Sequence, residues 1–288
     1  MAASTVVNVT VALALLAVLL ALGYIVFNPI YVLKPVLYTC KTVLPQTFDK
    51  RREGRVNVYH LNDDKPSRIV FMPGGGFLRC CLDFTPFMTT ALRGYELFYL
   101  EYEPLTENLR ITDTIENLAA VIKQILLEQN PNRKQTTFVG YSAGAYLTLK
   151  ALELVRPAFA AYTYYDFIGI HGWYGVSDSV MLKFYNWLYL KSFVQPSPHI
   201  DIHLATGDND PLQSSTYEFY THYRIGKPLL VVPGGNHYTF YDRENNGAYI
   251  SFIVDIIESR RRSNAASQSD AAAPRLLSQP TRNFLLSR

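Results

Sequence analysis

Gly140-Tyr141-Ser142-Ala143-Gly144 sets a serine among small residues in a G-x-S-x-G pattern. The stretch Thr136 to Gly140 reads as a strand, and a helical pattern begins at Ala143, so the serine falls at a strand-to-helix turn. There the pattern has a mechanical meaning. Such a turn is tight enough to need small neighbours, it lifts the hydroxyl above the sheet, and the amino end of the helix supplies partial positive charge.

A serine hydroxyl is a weak nucleophile. It needs a base to take its proton and a carboxylate to orient that base and stabilise the imidazolium. Gly207-Asp208-Asn209-Asp210-Pro211 follows the expected strand Ile200 to Thr206, and Gly234-Gly235-Asn236-His237 follows the expected strand Pro228 to Val232. The chain order is therefore Ser142, Asp210, His237, with Asp208 competing for the acid role. A turn after Gly207 aims Asp210 back toward His237 more naturally than Asp208. Of the six histidines only His237 follows the last expected strand; His60, His171, His199, His203 and His222 lie in or beside elements and read as structural.

The oxyanion of a tetrahedral intermediate needs backbone donors, each contributing about 3 kcal/mol. Pro73-Gly74-Gly75-Gly76-Phe77 follows an early strand, so the N–H groups of Gly75 and Gly76 are candidates, together with that of Ala143. This chemistry calls for no cofactor. Cys40, Cys80 and Cys81 form no CxxC motif or zinc-ligand spacing, which argues against a structural metal; adjacent Cys80 and Cys81 are expected as reduced thiols beside the glycine loop.

The elements that must carry these residues alternate. Strands are expected at Arg55 to Leu61, Arg68 to Met72, Glu96 to Tyr102 and Tyr165 to Ile170, besides those above. Helices are expected at Ile111 to Glu128, Ala143 to Leu154, around Tyr217 to Tyr223, and at Gly247 to Ile257. That rhythm implies a mostly parallel sheet with helices on both faces and ligands at the carboxyl ends of the strands. Gly172 to Ser197 breaks the rhythm with a density of aromatics, including Trp173, Trp187 and Phe193. It reads as a lid over about 172–197, or else as a helix packed against the sheet. From Ser263 to Arg288 the chain loses periodicity and reads as a disordered tail.

With 288 residues, 49% hydrophobic and 18% charged, the chain suits one large domain, expected over 55–262. A net charge of +3 that is not gathered on one face excludes a nucleic-acid-binding role. Residues 1–33 carry no charged side chain, and Val11 to Phe27 is almost wholly aliphatic, long enough for a transmembrane anchor, with 34–54 as a linker. A cleavable signal peptide is the rival, with small residues near Gly23. Against it, a basic start is missing and the apolar run continues beyond that point. Lys34, Lys41 and Lys50 to Arg55 follow the span and no cation precedes it, which orients the remainder toward the cytoplasm.

From Arg68 to Tyr238 the glycine loop, the G-x-S-x-G turn, the Gly207 to Pro211 turn and the Asn236-His237 loop resemble the hormone-sensitive-lipase-like branch of α/β-hydrolases. That branch includes arylacetamide deacetylase and fungal steryl acetyl hydrolases. Glu101-Tyr102-Glu103-Pro104-Leu105 is similar, in degraded form, to a further segment of it. The resemblance implies the α/β-hydrolase fold and a serine esterase or lipase acting on an apolar, lipid-like ester. By the same analogy the catalytic domain would sit in the endoplasmic reticulum and face the lumen. Two departures stand out: Pro73 where the family usually has His, and Ala145 where a further Gly is common. Thioester or amide cleavage and acyl transfer are alternatives on the same three residues, and a membrane-tethered binding module is the non-catalytic one.

Overall fold

The computed structural model describes residues 2–27, 42–75, 82–103, 110–127, 134–155, 165–175, 194–195 and 197–272. Its centre is an eight-stranded sheet of β1 (Asp49–Glu53), β2 (Val56–Leu61), β3 (Ser67–Met72), β4 (Glu96–Tyr102), β5 (Gln135–Tyr141), β6 (Tyr165–Ile170), β7 (Ile200–Gly207) and β8 (Leu230–Val232). The spatial order is β1-β2-β4-β3-β5-β6-β7-β8. β1 pairs with β2 and β2 with β4 antiparallel, and every later neighbour is parallel.

Side-chain alternation divides the core between the two faces. Val70 and Met72 of β3 join Phe98, Phe138 and the helices α2 (Ile111–Leu127) and α3 (Ala143–Val155). Ile69 and Phe71 point the other way, into a cluster with Tyr99, Val139 and Ile253 and Ile257 of α5 (Gly247–Ala272). Along α2, Ile111, Ile115, Leu118, Ile122 and Ile125 are buried at alternating spacings of about four and three, the stripe that fixes this helix to the sheet. Between β7 and β8 runs α4 (Gln213–His222).

Three elements differ from expectation. Strand β1 lies inside the segment read as a linker. Its sequence Asp-Lys-Arg-Arg-Glu has no apolar alternation, because it is an outer strand whose charges face water. Helix α5 continues to Ala272, ten residues into the segment read as a disordered tail; Ala265 and Ala266 favour helix without any amphipathic period. At the amino end α1 (Ala2–Phe27) is a helix, and its side chains are described over residues 11–23. There Val11, Leu13, Leu15, Leu16, Val18, Leu19, Leu20 and Leu22 are exposed. Among the described residues no helix is long and apolar enough to cross a membrane. The lid reading falls mostly on 176–193, which lie outside the described residues, as do Gly76, the three cysteines and 273–288.

Candidate active site

Ser142 is the single residue between the end of β5 and the start of α3, and its φ is +54°. A left-handed conformation in a residue with a Cβ costs about 1–3 kcal/mol and needs its surroundings to hold it. Here the backbone is tied on both sides. The Ser142 N–H donates to Ile170 O (3.0 Å), while its carbonyl accepts from Ala145 N (3.0 Å) and Trp173 N (3.1 Å). A Cβ on Gly144 would come within 2.3 Å of Met72 O and 2.5 Å of Pro73 O, so no larger residue fits where α3 crosses the end of β3. The serine is 5% exposed.

His237 follows β8, and its Nε2 lies 3.1 Å from Ser142 Oγ. Its Nδ1 lies 2.9 Å from Asp210 Oδ1. Ser142, His237 and Asp210 thus form one hydrogen-bonded chain, although 95 residues separate the serine from the histidine. Asp208 is exposed, and it is Asp210, in the same turn, that reaches the imidazole. The Asp210 carboxylate also accepts from Leu212 N (2.9 Å, on Oδ1) and Thr206 Oγ1 (3.2 Å, on Oδ2). Burial alone would raise its pKa, but the hydrogen bonds from His171 and His237 outweigh burial and hold the carboxyl well below the usual carboxylate range. It is an anion at neutral pH.

His171 is the residue that sequence reasoning set aside. Its Nδ1 lies 2.6 Å from Asp210 Oδ2, and its side chain is wholly buried. The available signal was position: His171 immediately follows β6, at the carboxyl end of a central parallel strand, where functional groups gather in such sheets. Tyr141, the variable residue of the G-x-S-x-G turn, donates its hydroxyl to the His237 carbonyl and sets its ring 5.2 Å from the imidazole. Phe240 stacks on that tyrosine at 5.7 Å.

Of the expected oxyanion donors, Ala143 is the first residue of α3, where an N–H has no acceptor within its own helix. Gly75 has φ +135°, which glycine adopts readily. The loop lies against the serine, since a Cβ on Gly74 would stand 2.6 Å from Ser142 Cβ. His171, Asp210 and His237 also have potential metal-ligand atoms within 4.8 Å of one another. Hydrogen bonding accounts for that proximity, because a cation would have to displace both imidazole contacts to Asp210.

This sheet order, with Ser142 on the turn after β5, Asp210 after β7 and His237 after β8, is that of the α/β-hydrolase fold. The structure is similar to a hormone-sensitive lipase from a metagenome library, with TM-score 0.63 and 14% identity over 79% of this chain and 91% of that one. It is also similar to a Pyrobaculum calidifontis esterase, with TM-score 0.60 and 13% identity over 83% and 92% of the respective chains. A third similar structure is carboxyl esterase 2 of the mycorrhizal fungus Tuber melanosporum, with TM-score 0.58 and 16% identity over 76% and 89%. No protein-family model matches the chain, and no curated protein matches its sequence. The likeness at these identities is one of fold.

Proposed function

We propose that this chain is a serine carboxylic ester hydrolase that works through an acyl-enzyme on Ser142. The observation that carries the reading is the Ser142–His237–Asp210 hydrogen-bonded chain at a left-handed turn between β5 and α3. His237 Nε2 takes the hydroxyl proton as Oγ attacks the ester carbonyl, and Asp210 stabilises the resulting imidazolium. Backbone N–H groups of Ala143, Gly75 and Gly76 carry the oxyanion. Collapse of the tetrahedral intermediate expels the alcohol, which takes the proton from His237. Water then attacks the acyl group, with His237 again as base, and Ser142 is released.

The substrate in this reading is an apolar, lipid-like ester. Its support is the aromatic-rich stretch 172–197 and the amino-terminal segment, whose aliphatic side chains from Val11 to Leu22 are exposed and have no polar face among them. We read that segment, over 1–33, as an uncleaved membrane anchor. Cations following it favour a cytoplasmic catalytic domain, whereas the family analogy favours a lumenal one in the endoplasmic reticulum. Resistance of the full chain to carbonate extraction is expected; release into the supernatant would remove the anchor from the account. Digestion of the catalytic domain by protease added to intact microsomes fits the charge argument, and protection fits the lumenal one.

Hydrolysis of nitrophenyl esters of increasing chain length tests the activity and substrate class together. Turnover that rises from acetate to longer acyl chains is expected. Absence of turnover on every ester would contradict the proposal.

A further inference from the structure

We propose that His171 is a positioning residue for this reaction, holding Asp210 through the carboxylate oxygen that His237 does not use; the inference rests on the hydrolase reading above. Two imidazoles share one carboxylate: Nδ1 of His171 lies 2.6 Å from Oδ2, and Nδ1 of His237 lies 2.9 Å from Oδ1. Because the carboxylate can only accept, each of these nitrogens carries the hydrogen. Oδ2 receives one further donor, Thr206 Oγ1 at 3.2 Å. With Leu212 N on Oδ1, four donors fix the plane of the carboxylate and prevent it from turning away from His237.

The protonation state of His171 follows from its surroundings. The side chain is fully buried and, among the described residues, its Nε2 has no hydrogen-bond partner, so a second proton there would be a buried donor without an acceptor among them. The titratable groups that face it are Asp210 from the turn after β7, His237 from the loop after β8 with ring centroids 5.6 Å apart, Tyr141 from β5 at 6.0 Å and Tyr249 from α5 at 5.0 Å. Burial pushes the His171 imidazole down and Asp210 only partly opposes it, which agrees with a neutral ring. A neutral donor matters chemically. A lysine or arginine at this place would hold Asp210 equally well but cancel the negative charge that must stabilise the His237 imidazolium. His171 orients the acid and leaves its charge intact.

Its backbone has φ +50°, so informative substitutions must tolerate the left-handed region. Asparagine does, and its amide nitrogen stands the same number of bonds from Cβ as Nδ1. Glycine does too, and supplies no donor. The test compares His171→Asn and His171→Gly with the wild type in kcat and KM for a short-chain nitrophenyl ester across pH. Each preparation is normalised by active-site titration with a fluorophosphonate, and Ser142→Ala is run alongside.

Loss of one hydrogen bond to a charged group should lower kcat of His171→Gly by about tenfold to a hundredfold, with KM little changed because His171 does not face substrate. The acid limb of kcat/KM should move to lower pH, since an Asp210 carboxylate free to turn away stabilises the imidazolium less. His171→Asn should restore both kcat and the limb. Wild-type kcat with an unmoved limb in His171→Gly would overturn the inference, and so would an asparagine variant as impaired as the glycine one. Full turnover by Ser142→Ala would instead overturn the hydrolase reading itself.

Discussion

Ser142 and His171 stand at matching places on neighbouring parallel strands, each one residue past the last paired residues Tyr141 and Ile170, and both are left-handed, with φ +54° and +50°. The matched turns lift a hydroxyl and an imidazole off the same end of the sheet. Asp210, from the next strand along, and His237, from the one after it, then complete a cluster to which four consecutive strand ends contribute. Two of its members, Ser142 and His171, sit directly on strand ends, while Asp210 and His237 stand on the short turns that follow β7 and β8.

The acid of this cluster can be separated from its neighbour in sequence. Asp210→Asn keeps the shape but, in the proposed mechanism, removes the charge that stabilises the His237 imidazolium and disturbs its tautomer. Turnover should fall by roughly four orders of magnitude. Asp208→Asn alters an exposed side chain and should leave turnover within about threefold of wild type. Steady-state ester hydrolysis by the two variants checks this, and a reversal of the two effects would reassign the acid.

Tyr141 braces His237 through its hydroxyl bond to the His237 carbonyl and its ring contacts with His237 and Phe240. Tyr141→Phe removes the hydrogen bond and retains the packing. A loss of about two- to tenfold in kcat is expected, with KM unchanged, because one neutral hydrogen bond is at stake and no substrate contact. A change confined to KM would mean that the tyrosine touches substrate instead.

Far from these strand ends, Glu96 is buried among Arg68 (3.0 Å), Lys134 (3.0 Å) and His60 (2.9 Å). Burial alone would raise its pKa, but hydrogen bonds from His60, Arg68 and Lys134 outweigh burial and bring it from 4.5 to about 2. The stabilisation is therefore complete above the unfolded value and is lost as pH falls through the folded one, a window from roughly pH 4.5 down to 2. Wild type should lose up to about 3 kcal/mol across it from this group alone. Glu96→Gln should be less stable at neutral pH, with a flatter dependence in that window. Urea denaturation at a series of pH values measures both.

Much of this was legible in the residues themselves. Glu96–Tyr102 and Tyr165–Ile170 are the strands that apolar composition predicts, and Ser142, Asp210 and His237 lie on the turns after β5, β7 and β8, each containing the small residues that mark it in the sequence. The unread parts have particular reasons. Strand β1 is charged along its length and, among the described residues, is paired along one edge only, so it lacks the alternation that marks a strand. His171 looks like any histidine beside a strand; its role depends on a carboxylate 39 residues away, and no local pattern encodes such a contact. The choice between Asp208 and Asp210 turned on which way a four-residue turn faces, a property of the folded loop.

The most direct test of the account is covalent labelling of the intact protein with a fluorophosphonate, followed by mass spectrometry of the labelled peptide. Stoichiometric modification at Ser142, abolished in Ser142→Ala and strongly slowed in His237→Ala, is the expected result, because only an activated hydroxyl attacks the phosphorus centre. Absence of labelling in protein that is folded by circular dichroism, or labelling at another serine that persists in Ser142→Ala, would contradict it.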